Sequence, residues 1–105
     1  SIVGGYRANQ MYSNAEGSVI AGGGSSSAPN RIFADYSVIG GGEGNVITTT
    51  ASLSGKHMTI AGGIGNEVSG TGATVGGGES NTVSGPDAVV PGGYLNVAAE
   101  PYSFA

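Results

Sequence analysis

Two carboxylates raise the first chemical question in this sequence. Glu43 and Glu79 each follow a run of glycines and stand two units apart in a short internal repeat. If the units stack as strands about 4.8 Å apart, the two carboxyl groups lie roughly 10 Å from each other. A similar spacing serves an inverting glycosidase, where one carboxylic acid protonates the leaving oxygen and the other activates water. Glycine on the N-terminal side of both residues puts them at turns on a convex edge, and no cleft is implied there. The sequence therefore favours no catalytic residue, and a polysaccharide-acting β-helix enzyme is only a remote alternative.

Other chemistry-bearing residues fare less well. His57 is the sole histidine and the chain has no cysteine, so a metal site would need carboxylates gathered from separate units. We expect His57 to be a solvated loop residue, with no metal and no cofactor. Ser54-Gly55-Lys56-His57 is superficially like a phosphate loop, but that motif needs glycine at position 50 and Ser or Thr at 57, where the chain has Thr50 and His57. The glycine run that begins at Gly40 does not complete a dinucleotide fingerprint either, because Asn45 stands where the third glycine belongs. Aspartate is confined to Asp35 and Asp87, too sparse and wrongly spaced for a calcium-binding β-roll. Thr59 and Thr74 fall next to each other in a row of the kind ice-binding solenoids display, but Val19, Val38 and Val89 interrupt it.

The elements that must position these residues follow from the repeat itself. The pattern [Ile/Val]-x-Gly-Gly begins at Ile2, Ile20, Ile39, Ile60, Val75 and Val90, and each copy is followed by an Asn: Asn9, Asn30, Asn45, Asn66, Asn81 and Asn96. From the second glycine to the Asn the step is 3 residues in the last four copies, 4 in the first and 7 in the second. From the Asn to the next Ile or Val it is 9 in three copies, 11 in the first and 15 in the third. The base unit is thus 15 residues, with insertions at 24–29 and 48–57. Loops absorb such insertions at small entropic cost.

A fixed short period signals a solenoid, whose units bury their apolar faces only against one another. Fifteen residues are too few for a helix pair but suffice for two short strands and two turns. Apolar residues alternate with period two on each side of the glycines. The expected fold is therefore all-β, one β-solenoid domain over 1–105 with about six coils and two short strands in each.

The same alternation assigns side chains to faces. Ser18 with Ile20, Ser37 with Ile39, Met58 with Ile60, Ala73 with Val75 and Ala88 with Val90 point inward from the first strands. Met11, Ile32, Ile47, Val68, Val83 and Ala98 point inward from the second. Ser103-Phe104-Ala105 begins a seventh coil. The glycine pairs are expected to form tight corners. The Asn residues are expected to bond main-chain groups in the turn and to stack as a ladder, in preference to forming a row of ligands for sugar or metal.

Outward columns differ between the strands. The first carries Val19, Val38, Thr59, Thr74, Val89 and Phe104, flanked by Val3, Ala21, Ala61 and Pro91; the second carries Gln10, Arg31, Val46, Glu67, Thr82 and Val97. An apolar, β-branched stripe running along a solenoid is expected to be an interface. Each coil buries only small side chains, and glycine at 22 of 105 positions raises the entropy cost of folding. A symmetric oligomer joined through the first stripe, and not the monomer, is therefore the expected folded unit.

Composition excludes several classes. Charged residues make up 10% of the chain and the net charge is −4, so a phosphate backbone would find only Arg7, Arg31 and Lys56 to pair with, and a nucleic-acid partner is not expected. No Gly-X-Y period marks a collagen. No apolar run reaches the ~18 residues of a membrane span and no leader is evident, so we expect no direct membrane insertion. The absence of cysteine leaves the redox compartment open. The interrupted last coil makes the chain read as a segment of a longer fibrous protein.

Ser18-Val19-Ile20-Ala21 and Ser37-Val38-Ile39-Gly40, each followed by a small-residue turn and an Asn-x-apolar strand, resemble the head repeats of trimeric autotransporter adhesins. The resemblance extends over all six repeats. It departs from the family in the doubled glycine, in Asn where the family has Ser, and in the two insertions. Gly92-Gly93-Tyr94-Leu95-Asn96 with Tyr102-Ser103-Phe104-Ala105 is also similar to glycine-rich repeats of tail-fibre-like proteins of phages and bacteria. Both resemblances imply a left-handed parallel β-roll, three copies about an axis, outside the cell at the exposed end of a surface or virion fibre. The adhesin resemblance adds anchoring in the outer membrane through another region, and an extracellular-matrix protein or surface glycan as partner. Neither resemblance assigns a ligand residue. Contacts are expected in and beside the corner insertions, at Ser25, Ser26, Arg31, Thr49, Lys56 and His57.

Overall fold

The computed structural model describes residues 1–12, 15–49 and 55–105. Among them there is no helix; the chain is a parallel β-solenoid of about six turns. The first strand of each coil is β1 (Ile2–Val3), β3 (Val19–Ile20), β5 (Val38–Ile39), β7 (Thr59–Ile60), β9 (Thr74–Val75) and β11 (Val89–Val90). The second is β2 (Gln10–Met11), β4 (Arg31–Ile32), β6 (Val46–Ile47), β8 (Glu67–Val68), β10 (Thr82–Val83) and β12 (Val97–Ala98). Odd-numbered strands form one six-stranded sheet and even-numbered strands the other, all parallel to their neighbours. Two-residue strands suffice because each extends a ladder already begun by the coil below.

The narrow space between the sheets explains the residue sizes. One Ile or Val per strand fills it, and Ile20, Ile39, Ile60, Val75 and Val90 meet Ile32, Ile47, Val68, Val83 and Ala98 with almost no solvent exposure. Ala73 and Ala88 complete the later layers. Ser18 and Ser37 take the same column in earlier coils, where their hydroxyls knit the corner: Ser18 Oγ donates to the Ala34 carbonyl at 2.8 Å and accepts from the Ser37 N–H at 3.0 Å. The molecule measures 34 × 27 × 17 Å.

The first coil differs from the sequence expectation. Ile2 pairs with Val19 and Val3 with Ile20, so Val3, not Ile2, is in register with the interior column. Aligning the copies on their glycine pairs hid this, because the first pair stands one position nearer its strand: Val3 and Asn9 are 6 residues apart, as are Ile39 and Asn45. The Gly4 carbonyl accepts from Asn9 Nδ2 just as the Gly22 carbonyl accepts from Asn30 Nδ2. At the other end Phe104 pairs with Val89 and Ala105 N–H donates to the Val89 carbonyl at 3.0 Å, so a seventh coil does begin there.

Candidate functional site

The corners, where ligand contacts were expected, are built by two devices. The first is the Asn column. Asn66 donates its backbone N–H and its Nδ2 to Asn45 Oδ1, at 3.0 and 3.1 Å, and Nδ2 also reaches the carbonyls of Gly62 and Gly78. Asn45 and Asn81 repeat this pattern one coil away on either side. Asn30, Asn45, Asn66 and Asn81 are fully buried. Their amide groups are consumed by the scaffold, which removes them as ligands for sugar or metal.

The second device is glycine, but in the second, third and fourth coils only one member of the pair is needed; in the first coil a Cβ on Gly4 would also meet main chain, 2.6 Å from the Ala21 carbonyl oxygen. Gly42 and Gly63 have φ of 81° and 98°, and a Cβ on Gly63 would sit 2.2 Å from the Gly78 carbonyl oxygen. Gly41 and Gly62 face open space. The first glycine of these three pairs has no steric reason in the structure.

Past the glycines runs a third, one-residue ladder that the sequence did not reveal. Glu43, Ile64, Glu79 and Tyr94 pair in parallel, one per coil. Glu43 and Glu79 therefore do lie two coils apart in one column, with Ile64 between them, 52% exposed. Among the described residues no group of three His, Cys, Asp or Glu is placed to hold a metal ion.

In the second coil the insertion is spliced into this ladder. Gly24 N–H donates to the Gly42 carbonyl, as Glu43 N–H does to Gly63, yet it is the Ala28 carbonyl that receives the Gly44 N–H at 2.9 Å. The intervening residues bulge out and close on themselves, with Ser25 Oγ accepting from Ala28 N–H at 3.2 Å. The bulge walls a groove of about 340 Å³ lined by Ser27, Ala28, Pro29, Arg31, Glu43, Gly44, Val46, Ile64 and Gly65. Arg31 projects from the outer face of β4, and Glu43 is exposed on the third ladder. Neither side chain has a hydrogen-bond or ion-pair partner among the described residues.

The six expected contact residues fall into two separate groups. Ser25, Ser26 and Arg31 belong to the glycine corner and the groove beside it. Thr49, Lys56 and His57 lie at the opposite corner, where each even-numbered strand leads into the next coil; positions 50–54 of the 48–57 insertion lie outside the described residues. Lys56 pairs with Asp35 at 4.0 Å and lies 5.8 Å from the centre of the Tyr36 ring. The His57 ring stacks on Tyr36 with centroids 5.4 Å apart. His57 is exposed, as expected, but it occupies a fixed place: Gly17, Tyr36, His57, Gly72, Asp87 and Tyr102 share a positive φ at equivalent points of successive coils. Comparison with family models, with curated proteins and with solved structures returned no match to this chain.

The outer faces also differ in charge. None of the three basic and seven acidic residues lies on the outer columns of the odd-stranded sheet. Arg31 and Glu67 are on the even-stranded sheet, Glu43 and Glu79 on the third ladder, and Asp35, Lys56 and Asp87 at the opposite corner. Val38 and Phe104 are exposed, and Val19, Thr59, Thr74 and Val89 are half-buried by their own neighbours. No helix among the described residues is long and apolar enough to cross a membrane.

Proposed function

We propose that this chain is a non-catalytic head segment of a homotrimeric cell-surface adhesin, a left-handed β-roll whose three copies pack about an axis through their odd-stranded sheets. One observation carries the reading: a parallel sheet whose outer columns hold Ile, Val, Thr, Ala, Gly and Pro and no charge over its whole length. Parallel sheets are ordinarily covered on both faces, and an uncharged apolar stripe of this kind marks an association surface. Three rigid copies would then present the glycine corners and their groove together, so that a weak contact gains strength by multivalency. The partner would be an extracellular-matrix protein or a surface glycan.

A phage or injection-machine tail fibre uses the same physics and is the second reading, favoured by the Gly92–Asn96 stretch. Sequence encoded C-terminal to this segment separates the two: an anchor barrel supports the adhesin, and a self-cleaving chaperone domain supports the fibre. The functional test is attachment of beads coated with the chain to matrix proteins and surface glycans. Trimer-dependent attachment is expected, whereas a chain that attaches equally well as a monomer contradicts the reading.

A further inference from the structure

The groove beside the second coil has the chemistry of a saccharide subsite, and we infer that it takes an acidic sugar residue, a uronate or a nonulosonate, at the end of a glycan. The inference deepens the adhesin reading by naming the ligand class. It rests on residues of a single chain.

Three features of the groove point to this class. Its volume, about 340 Å³, is at the small end of ligand sites and suits one sugar ring. Its two charged groups, the Arg31 guanidinium and the Glu43 carboxylate, line the same space yet form no ion pair, so each keeps its hydrogen-bonding capacity for a ligand. The apolar part of the lining includes Ile64, Val46 and Pro29. Ile64 is half exposed.

A sugar acid matches each of these. Its carboxylate accepts a bidentate pair of hydrogen bonds from the planar guanidinium of Arg31. Ring hydroxyls donate to Glu43, and the C–H face of the ring covers the apolar residues. Glu43 also sets direction, because it repels a carboxylate placed at its own end. A phosphate or sulfate would pair with Arg31 but gain nothing from Glu43 or the apolar floor. A peptide α-carboxylate would bring its neighbouring groups without a hydroxylated ring to answer Glu43.

The insertion supplies Ser27, Ala28 and Pro29 to the groove lining. Later coils carry the same ladder position, as Ile64, Glu79 and Tyr94, without the bulge. Because the groove lies between the even-stranded sheet and the third ladder, packing through the odd-stranded sheet leaves it open to solvent.

The test is a titration of the full chain with sodium glucuronate and with N-acetylneuraminate, followed by calorimetry and ligand-observed NMR, with glucose and the dipeptide Gly-Gly as controls. Both acidic sugars should saturate, and glucose and the dipeptide should bind at least about tenfold more weakly. Arg31→Ala should weaken acidic-sugar binding by about tenfold or more, Glu43→Gln by about threefold, and Glu67→Gln, on the same sheet outside the groove, should leave it unchanged. Circular dichroism matching the unaltered chain shows that Arg31→Ala remains folded. Glucose or the dipeptide binding as well as the acids, no saturation by either acid, or an Arg31→Ala chain that binds normally would each overturn the proposal. Light scattering on the same samples keeps the outcomes separate: a monomer that still binds acidic sugar refutes the trimer and retains the groove.

Discussion

Asn66 donates two hydrogen bonds to the single side-chain oxygen of Asn45, from its backbone N–H at 3.0 Å and its Nδ2 at 3.1 Å. One amide thereby ties a corner to the coil below it, to its own glycine and to the coil above. The column of such contacts does for this solenoid what a core of large side chains does elsewhere. Among the described residues no buried side-chain nitrogen or oxygen lacks a partner.

Replacing Asn66 with Ala should accordingly destabilise the fold by on the order of 3 kcal/mol, since buried groups on Asn45, Gly62 and Gly78 each lose a partner. Asn96→Ala should cost less, because Asn96 is only half-buried and bonds just Asn81 and Gly92. Urea denaturation of the two variants measures the difference. Equal losses would mean that the column contributes little beyond local turn geometry.

The glycine pairs make a sharper comparison. Gly63→Ala must place a Cβ against the Gly78 main chain at a positive φ, and we expect it to cost more than about 3 kcal/mol or to prevent folding. Gly62→Ala meets open space and should be neutral or stabilising by up to about 1 kcal/mol. Thermal unfolding of both variants checks the contrast.

Val38→Lys and Val89→Lys place a charge on the outer face of the odd-stranded sheet. Both should dissociate the proposed trimer, while Glu67→Lys on the other sheet should not. Sedimentation velocity distinguishes them. Identical behaviour of all three would show that the assignment of faces is wrong.

Ile64 separates Glu43 from Glu79, and the groove that Glu43 and Ile64 line does not include Glu79. The chain should therefore show no turnover of polysaccharides, measured as new reducing ends. Turnover that Glu43→Gln or Glu79→Gln abolishes would revive the enzyme alternative.

The two interior columns were legible because period-two alternation leaves Ile and Val on one side of each short strand, and the Asn column was legible because it recurs in every copy. The third ladder was not. Its occupants, Ala28, Glu43, Ile64, Glu79 and Tyr94, have no side-chain chemistry in common, and only backbone pairing defines them. The positive-φ column was hidden for the same reason, since Tyr36, His57, Asp87 and Tyr102 share a conformation and not a type. Of the candidate site, the insertion and Arg31 could be read from the sequence. Glu43 stands out in the sequence only as a catalytic candidate that is set aside, and its place in the groove with Arg31 depends on how the bulge at 24–29 rejoins the ladder at Ala28. Thr49, Lys56 and His57 lie apart from Ser25 and Ser26 because the two insertions fall at successive corners of a coil, which lie at opposite edges of it.

Multi-angle light scattering of the purified chain tests the central claim most directly. Association through the odd-stranded sheet predicts a monodisperse species of three times the 10.1 kDa chain mass. A folded, monodisperse monomer would contradict it.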